Sequence, residues 1–343
     1  MFNKVISILG TLILLVLAGC RDVAPISVEE PSTENRTITL NLDITTRAEA
    51  GEEESPDNFH LWIFNGDKLL TYINSDPSWE EVNNDGKVDL KATVEAEIDA
   101  TEVNAIQFYL LLNTNVTGPW GMTPANLKNL TFTLPDQPYS HDNKVPMSGE
   151  QTLEIKSNQY NYTVEIVAVR SVAKLGIYCT KSSETSELNI QNVTLNSIPN
   201  KGTLFNTVPV NIVYSYNKKL LSEKKILTAY TEISLPEDTD DFWEEEVEQK
   251  FTEISTSYLL ENLDADDKIQ IDGSVGNQKR YYNNIEYILN GIGYKTTIYL
   301  SKIKRNQFSK LYIRIKDNIS LDNINCQVNS WVVKHEMYVP SFQ

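Results

Sequence analysis

The sequence predicts an all-β protein of two β-domains, and two observations carry the prediction. Tyrosine, threonine, isoleucine and valine are plentiful among the 343 residues, and these residue types favour strands. The long strand signal over 145–179 has its apolar side chains on even positions up to Ala168 and on odd positions from Ala173. Because side chains alternate between the faces of a strand, the change of phase at Arg170-Ser171 indicates a strand that leaves one sheet and enters another. A bulge, or one buried strand interrupted by a turn, gives the same pattern.

The totals exclude several classes of function. A formal charge of −17 repels nucleic acid phosphates and anionic lipid headgroups, so we expect neither as a partner. The three histidines and three cysteines have no metal-ligand spacing and form no disulfide framework. Cys179 and Cys326 either pair with each other in an oxidising compartment or remain two buried thiols. No nucleophile–base pair converges, so we expect no enzymatic role, and the sequence indicates no cofactor.

Residues 1–20 have the pattern of an export signal. Lys4 precedes an apolar run over 5–17 that is too short to remain as a membrane-spanning helix. The run ends in Leu17-Ala-Gly-Cys20, which matches the bacterial lipoprotein box, where the cysteine receives diacylglycerol and becomes the new N-terminus. We therefore expect a lipid anchor at Cys20, followed by a polar tether over 21–35.

The first domain is expected over residues 36–157. It opens with a strand whose apolar residues alternate with polar ones, so that one face is buried: Ile38, Leu40, Leu42 and Ile44. The acidic loop that follows begins at Arg47 and cannot bury its charges, so a trypsin-like protease could cut there. A hairpin over 59–73 with an Asn65-Gly66 turn and a buried strand over 105–112 come next.

The second domain is expected over residues 158–343, with strands at 188–195, 290–300, 310–315 and 324–333. The acidic stretch over 236–248 is typical of a solvated face rather than a metal site. The tail beyond residue 334 is too apolar to sit exposed without a role, and Pro340 permits an edge strand or an inserted one there.

Four short motifs resemble the fimbrillin family of Bacteroidetes, the FimA-like and Mfa-like subunits of type V pili. They are Met147-Ser-Gly149, Arg170-Ser-Val-Ala-Lys174, Tyr258-Leu-Leu-Glu-Asn262 and Arg305-Asn-Gln-Phe308. Leu260 departs from the family pattern, in which proline is common. The resemblance implies two tandem transthyretin-like β-sandwiches with Greek-key-type connections, in a lipoprotein precursor that reaches the cell outer membrane and a fimbrium.

The resemblance also implies assembly by strand exchange with other fimbrial subunits. In such pilins an arginine-specific protease removes the first strand, and here the cut would fall between Arg47 and Ala48. A donor strand from another subunit would then fill the groove. The corresponding donor here is residues 332–343, with these apolar residues: Val333, Met337, Val339 and Phe342.

Several alternatives stay open at this point. Arg47 is otherwise an uncut loop residue, and the tail otherwise folds back on its own domain. A tip or anchor subunit that meets a host or bacterial surface ligand is the alternative within the family. Outside it, the alternative is a glycan-binding outer-membrane lipoprotein in which Trp79, Trp120 and Trp243 stack on sugars rather than pack locally.

Overall fold

The computed structural model describes residues 36–46, 56–84, 87–101, 103–135, 144–206, 215–232, 249–263, 270–271, 280–316 and 321–330. Across these ranges nearly all regular structure is strand, so the predicted all-β class is confirmed. The helical elements described are a 3-10 turn over Pro119–Gly121 and helix α1 over Pro124–Lys128. Within these ranges, no helix has the length and apolarity needed to cross a bilayer.

The strands of the first half are β1 (Thr37–Thr46), β2 (His60–Asn65), β3 (Lys68–Ile73), β4 (Glu80–Asn84), β5 (Lys87–Asp99), β6 (Ala105–Leu112), β7 (Thr131–Phe132), β8 (Met147–Glu154) and β9 (Asn161–Arg170). All except β7 form one eight-stranded sheet in the order β3-β2-β6-β8-β9-β1-β5-β4. Strands β8 and β9 share only two residue pairs, so the sheet folds over at this corner. Both halves of the folded sheet contribute side chains to one apolar core, for example Leu40, Ile63, Phe108 and Ile166.

The strands of the second half are β10 (Val172–Lys181), β11 (Leu188–Pro199), β12 (Gly202–Thr203), β13 (Tyr216–Ser222), β14 (Lys225–Leu227), β15 (Thr252–Leu260), β16 (Gln270–Ile271), β17 (Tyr282–Leu289), β18 (Ile292–Tyr299), β19 (Gln307–Ile315) and β20 (Leu321–Ser330). All except β12, which pairs with β7, form a four-stranded sheet, β15-β10-β19-β20, and a six-stranded sheet, β13-β11-β17-β18-β16 with β14 beside β11. The core between these two sheets includes Leu175, Leu195, Ile285 and Leu311.

The change of apolar phase at Arg170-Ser171 marks a change of sheet. Strand β9 ends at Arg170 in the first sheet, and β10 begins at Val172 in the four-stranded sheet of the second half. This confirms the interpretation that the chain passes from one sheet to another at this point, and it rules out a bulge within one strand. The domain boundary predicted after residue 157 needs correction, because it separates β9 from the sheet to which it belongs. Turn signals placed it too early, at the 156–160 loop that joins β8 to β9.

The predicted hairpin over 59–73 is present as β2 and β3, but its turn lies one residue later than expected. The two turn residues are Gly66 and Asp67, because Asn65 already pairs with Lys68. Gly66 has a positive φ of 56° while Asp67 does not, which fits a type II′ turn rather than the Asn-Gly type I′ turn.

Cys179 is a buried thiol without a disulfide bond. It lies on β10, whereas Cys326 lies on β20, and β19 stands between these two strands. Two strand spacings amount to roughly 9–10 Å, which exceeds the Cα separation of about 4.4–6.8 Å that a disulfide spans. Of the two alternatives left open for this pair, the structure therefore favours unpaired cysteines.

Candidate assembly groove

Strand β1, whose removal the fimbrillin resemblance implies, is hydrogen-bonded along both of its edges. It runs antiparallel to β5 through ten residue pairs, from Thr37 with Asp99 to Thr46 with Leu90. It runs parallel to β9 through eight pairs, from Thr39 with Asn161 onward. If β1 left, the facing edges of β5 and β9 would expose their backbone donors and acceptors together. We call the space that β1 occupies between β5 and β9 the assembly groove.

The inner side of β1 fills this groove with apolar side chains. The four residues predicted from alternation all have zero exposure to solvent: Ile38, Leu40, Leu42 and Ile44. On β5, the small side chains of Ala96 and Ala92 stand opposite Leu40 and Ile44. Burial of one such side chain contributes roughly 1.5–3 kcal/mol, so the four together contribute roughly 6–12 kcal/mol to the binding of this strand.

The outer side of β1 is polar, and much of the surface around it is acidic. Asp43 accepts hydrogen bonds from Lys91 Nζ at 3.1 Å and from Thr93 Oγ1 at 3.2 Å on β5. Asp43 and Lys91 are both partly exposed, so this pair contributes little to stability. The attachment of β1 therefore depends on its ladder hydrogen bonds and its buried face.

The two ends of β1 are held differently. At its start, Arg36 donates hydrogen bonds to the carbonyl oxygens of Lys156 and Gln159, and its guanidinium lies 5.3 Å from the ring centroid of Tyr160. At its end, the hydroxyl of Thr46 is buried without a hydrogen-bond partner. A buried unpaired polar group costs about 1–3 kcal/mol. Arg36 Nε at the start of the strand is also buried without a hydrogen-bond partner, so each end of β1 carries one such atom.

The motifs that carry the fimbrillin resemblance converge on one carbonyl oxygen at the junction of the two halves. The backbone oxygen of Leu204 accepts hydrogen bonds from Ser148 Oγ at 2.7 Å, Ser171 Oγ at 2.8 Å and Arg305 Nη1 at 2.8 Å. These three donors come from three different motifs. The motifs therefore build a joint between the halves rather than a binding site.

Further contacts close this junction. Arg305 also forms an ion pair with Glu261 at 3.2 Å, and Arg170 Nη1 donates to Asn306 Oδ1 at 3.3 Å. Phe205, which follows Leu204, packs edge-on against Tyr109 on the outer face of the first sheet. The motifs could be recognised one by one in the sequence, but their meeting at Leu204 could not.

Two of the tryptophans proposed as a sugar platform are described, and their surroundings differ. Trp79 packs against the core of the first half, whereas Trp120 is 67% exposed. The ring of Trp120 meets Tyr72 edge-on at 4.8 Å, and Trp62 Nε1 donates to Pro119 O at 2.8 Å, which fixes the turn that carries it. Of the two described tryptophans in this set, Trp120 is the one with a ring open to a ligand.

Several predicted site residues lie outside the described residues. They are the lipidation site Cys20, the cleavage site Arg47-Ala48 and the donor residues Val333, Met337, Val339 and Phe342. The acidic stretch with Trp243 lies outside them as well. Among the described residues, no cluster of three or more histidine, cysteine, aspartate or glutamate side chains is placed to hold a metal ion.

Known proteins match this chain in their solved structures and not in their sequences. No protein-family model and no curated protein matches the sequence. Solved structures do match, among them a candidate cell adhesion protein from Bacteroides eggerthii, with a TM-score of 0.53 at 12% identity over 87% of this chain and 97% of that one. The tip fimbrial protein Mfa3 from Porphyromonas gingivalis, truncated at its C-terminus, matches with a TM-score of 0.51 at 12% identity, over 85% of this chain and 100% of that one.

The chain has a fimbrillin-like fold. A further match, a candidate cell adhesion protein from Parabacteroides distasonis, has a TM-score of 0.50 at 13% identity and covers 86% of this chain and 99% of that one. Because the matches span nearly the whole of each known structure, the likeness extends over both halves of the fimbrillin-like chain. The resemblance predicted from the motifs is therefore confirmed at the level of the fold.

Proposed function

We propose that this protein is a structural subunit or adhesin of a type V fimbria on the bacterial surface. The observation that carries the proposal is β1, the first described strand, which sits inside a sheet, fills a groove with four buried side chains and precedes an arginine in an acidic loop. The shared fold with a tip fimbrial protein supports it. The role is mechanical and adhesive, not enzymatic.

Assembly proceeds by strand exchange in the groove. A cut after Arg47 frees the C-terminal end of β1, where the hydroxyl of Thr46 is buried without a hydrogen-bond partner. The strand then leaves, and a donor strand from another subunit takes its ladder hydrogen bonds with β5 and β9. Affinity comes from those main-chain bonds, and selectivity comes from the apolar side chains that fit the pockets beside Ala92 and Ala96.

The C-terminal segment has a pattern suited to this donor role. Val333, Met337 and Val339 share one parity, so an extended tail would present all three to the same side. Phe342 has the opposite parity and follows Pro340, after which the chain need not continue as a regular strand. Before assembly, the lipid on Cys20 holds the subunit at the outer membrane.

The test is digestion of the chain from Arg21 onward with an arginine-specific protease, followed by mass and size analysis. We expect one dominant cut after Arg47 and ladders of oligomers that grow with protein concentration. An Arg47→Gln variant is the matched control and should lose this cut. Arg36 lies in the same region, but we expect no cut there, because its guanidinium donates hydrogen bonds to the 156–160 turn. Deletion of residues 332–343 should abolish the ladders but leave the cut. Resistance at Arg47, or cleavage that leaves only monomers, would contradict strand exchange.

A second candidate function is glycan binding by Trp120. An indole exposed over 67% of its surface and fixed against Tyr72 is a suitable platform for a sugar ring. Binding of the intact protein and of a Trp120→Ala variant to a panel of polysaccharides tests this role. Loss of binding in the variant alone would favour an adhesin at the tip, and equal binding by both would exclude Trp120 as the platform.

A further inference from the structure

One edge of the six-stranded sheet carries a concentration of lysines in this otherwise acidic chain. Strands β13 and β14 follow one another along β11, from Tyr216 opposite Pro199 to Leu227 opposite Leu188. Residues 216–227 contain four lysines and one glutamate, whereas the whole chain has a net charge of −17. We call this stretch the lysine edge.

The charges of the lysine edge are accessible to a partner. Lys218, Lys219 and Lys224 are exposed, and none of them forms an ion pair within the described part of the chain. Lys225 is partly exposed and donates a hydrogen bond to the carbonyl oxygen of Glu253 on β15. Like charges so close together repel one another, and an acidic partner surface would remove that repulsion.

Two apolar side chains stand among these lysines. Leu220 is 50% exposed and Ile226 is 66% exposed. Leu220 lies opposite Thr194 of β11, and Ile226 lies opposite Asn189 of the same strand. Both β11 residues alternate with residues of the core, so the two apolar side chains lie on the outer face of the sheet. Apolar side chains within a charged rim are typical of a protein–protein contact.

The lysines also determine how a partner can approach. Lysine on an edge strand opposes pairing with a further strand, and two shifts of register between β11 and β13 make this edge irregular. An added strand is therefore disfavoured. A partner would instead contact the side chains, with carboxylates that pair with the lysines and a surface that covers Leu220 and Ile226.

A surface of the opposite charge lies in the first half, on the outer side of β9, β1 and β5. Five carboxylates share this side: Glu165, Asp43, Glu95, Glu97 and Asp99. Among β1 and the residues paired with it, Lys91 is the one cation, and it pairs with Asp43. We call this surface the acidic face.

The acidic face is not compensated within the described residues. Glu165 stands directly opposite Asp43, and like charges in this arrangement are destabilising. Glu95, Glu97 and Glu165 are exposed and form no ion pair with any described residue. Val167, at the end of the same face, is an apolar side chain that is 42% exposed. The acidic face thus has the charge and the apolar contact that the lysine edge lacks.

The geometry points to a contact between two copies of this chain, in which the lysine edge of one copy lies on the acidic face of the other. Because the two surfaces differ, each copy keeps one of them free, and the contact repeats from copy to copy instead of closing a two-fold dimer. The inference deepens the proposed function and rests on it, since it names a second copy as the partner that approaches before strand exchange. It requires neither the cut after Arg47 nor the donor tail.

The expected contact is weak. The acidic face is three strands wide and eight residue pairs long, which is roughly 15 Å by 25 Å. This is less than the area of about 800 Å² that each partner contributes to a standard interface, and exposed ion pairs add little affinity. The main effect of the contact is therefore to speed the encounter between subunits.

Sedimentation velocity of the Arg47→Gln chain from Arg21 onward tests the contact, because this variant keeps β1 in place. We expect reversible self-association that grows with protein concentration. The association constant should fall at least about tenfold when salt rises from about 0.01 M to about 1 M, since the Debye length then falls from about 30 Å to about 3 Å. Lys218→Glu with Lys224→Glu should abolish the association. Lys250→Glu with Lys304→Glu is the matched control, because it changes the net charge equally at exposed lysines outside the lysine edge.

A charge swap identifies the two surfaces. Glu95→Lys with Glu165→Lys should also abolish self-association. An equal mixture of this variant and the lysine-edge variant should associate again, because each then supplies the surface that the other lacks. The inference is overturned if the Arg47→Gln chain stays monomeric at low salt, if the lysine-edge variant associates like its control, or if the mixture stays monomeric. These outcomes do not affect the cut after Arg47, and an absence of ladders in cut protein that still self-associates would contradict strand exchange alone.

Discussion

Truncation of one side chain on β1 tests how much the groove contributes to the free energy of unfolding. Leu42 has zero exposure and stands between Val94 on β5 and Val164 on β9. Its replacement by alanine removes buried apolar surface and leaves a cavity in the core of the first half. Changes of this kind cost about 2–5 kcal/mol, and the lower part of that range applies if Val94, which is only partly buried, moves into the space.

The assay is urea unfolding of the uncut protein, followed by tryptophan fluorescence. The matched control is Asn41→Thr, because Asn41 is the neighbouring residue on the outer side of the same strand and forms no hydrogen bond through its side chain among the described residues. We expect the control to stay within about 0.5 kcal/mol of the original chain. After cleavage at Arg47, Leu42→Ala should also speed the release of the β1 peptide by at least about tenfold.

Two results would refute this reasoning. A loss below about 1 kcal/mol for Leu42→Ala would mean that β1 is not part of the packed core. Equal release rates from the cut variant and the cut original chain would mean that the inner face of β1 does not hold the strand in the groove.

A synthetic peptide with the sequence of residues 36–46 should slow assembly in proportion to its concentration, and no effect would point to a different acceptor site.

Four further predictions concern other parts of the molecule. Arg305→Met leaves Glu261 without its cation at the junction, and urea unfolding should show a loss of about 3 kcal/mol; a loss under about 1 kcal/mol would contradict the role of Arg305. Gly149→Ala should lower the melting temperature by the equivalent of about 1–3 kcal/mol, because its Cβ would lie 2.8 Å from the carbonyl oxygen of Val167. Burial raises the pKa of the Cys179 thiol to about 12, so a maleimide should label it at about pH 8 only after unfolding. Burial lowers the pKa of His60 below 6.5; the unfolded chain then binds more protons, so stability should fall as pH drops below about 6.5, and His60→Gln should flatten that slope.

Sequence patterns predicted the local features of this fold well. Strict alternation identified β1 and the buried face that carries Leu42, and the change of phase at Ser171 identified the passage between sheets. Both are properties of consecutive residues, so the chain itself displays them. The acidic loop and the tail were predicted in the same way, but they lie outside the described residues.

Long-range relations could not be predicted in the same way. Nothing in the residues near β1 indicates that it runs parallel to β9, which is about 120 positions later in the chain. The row of Lys219 on β13, Leu195 on β11 and Asn283 on β17 depends on two strand registers at once. The fimbrillin resemblance predicted which short motifs matter, but only the folded chain shows that they meet at Leu204.

In the proposed strand exchange, the position of the junction relative to β1 would let this strand leave without the loss of the fold. The contacts at Leu204 come from β8, the start of β10 and the loop before β19, and β1 forms its ladders with β5 and β9 alone. The outer face of the first sheet remains covered by Phe205 whether or not β1 is present. Release of β1 as proposed would therefore open a groove in the first half, while the joint between the halves would keep its hydrogen bonds. An assembled subunit would then retain the same arrangement of its halves, with only the origin of one strand exchanged.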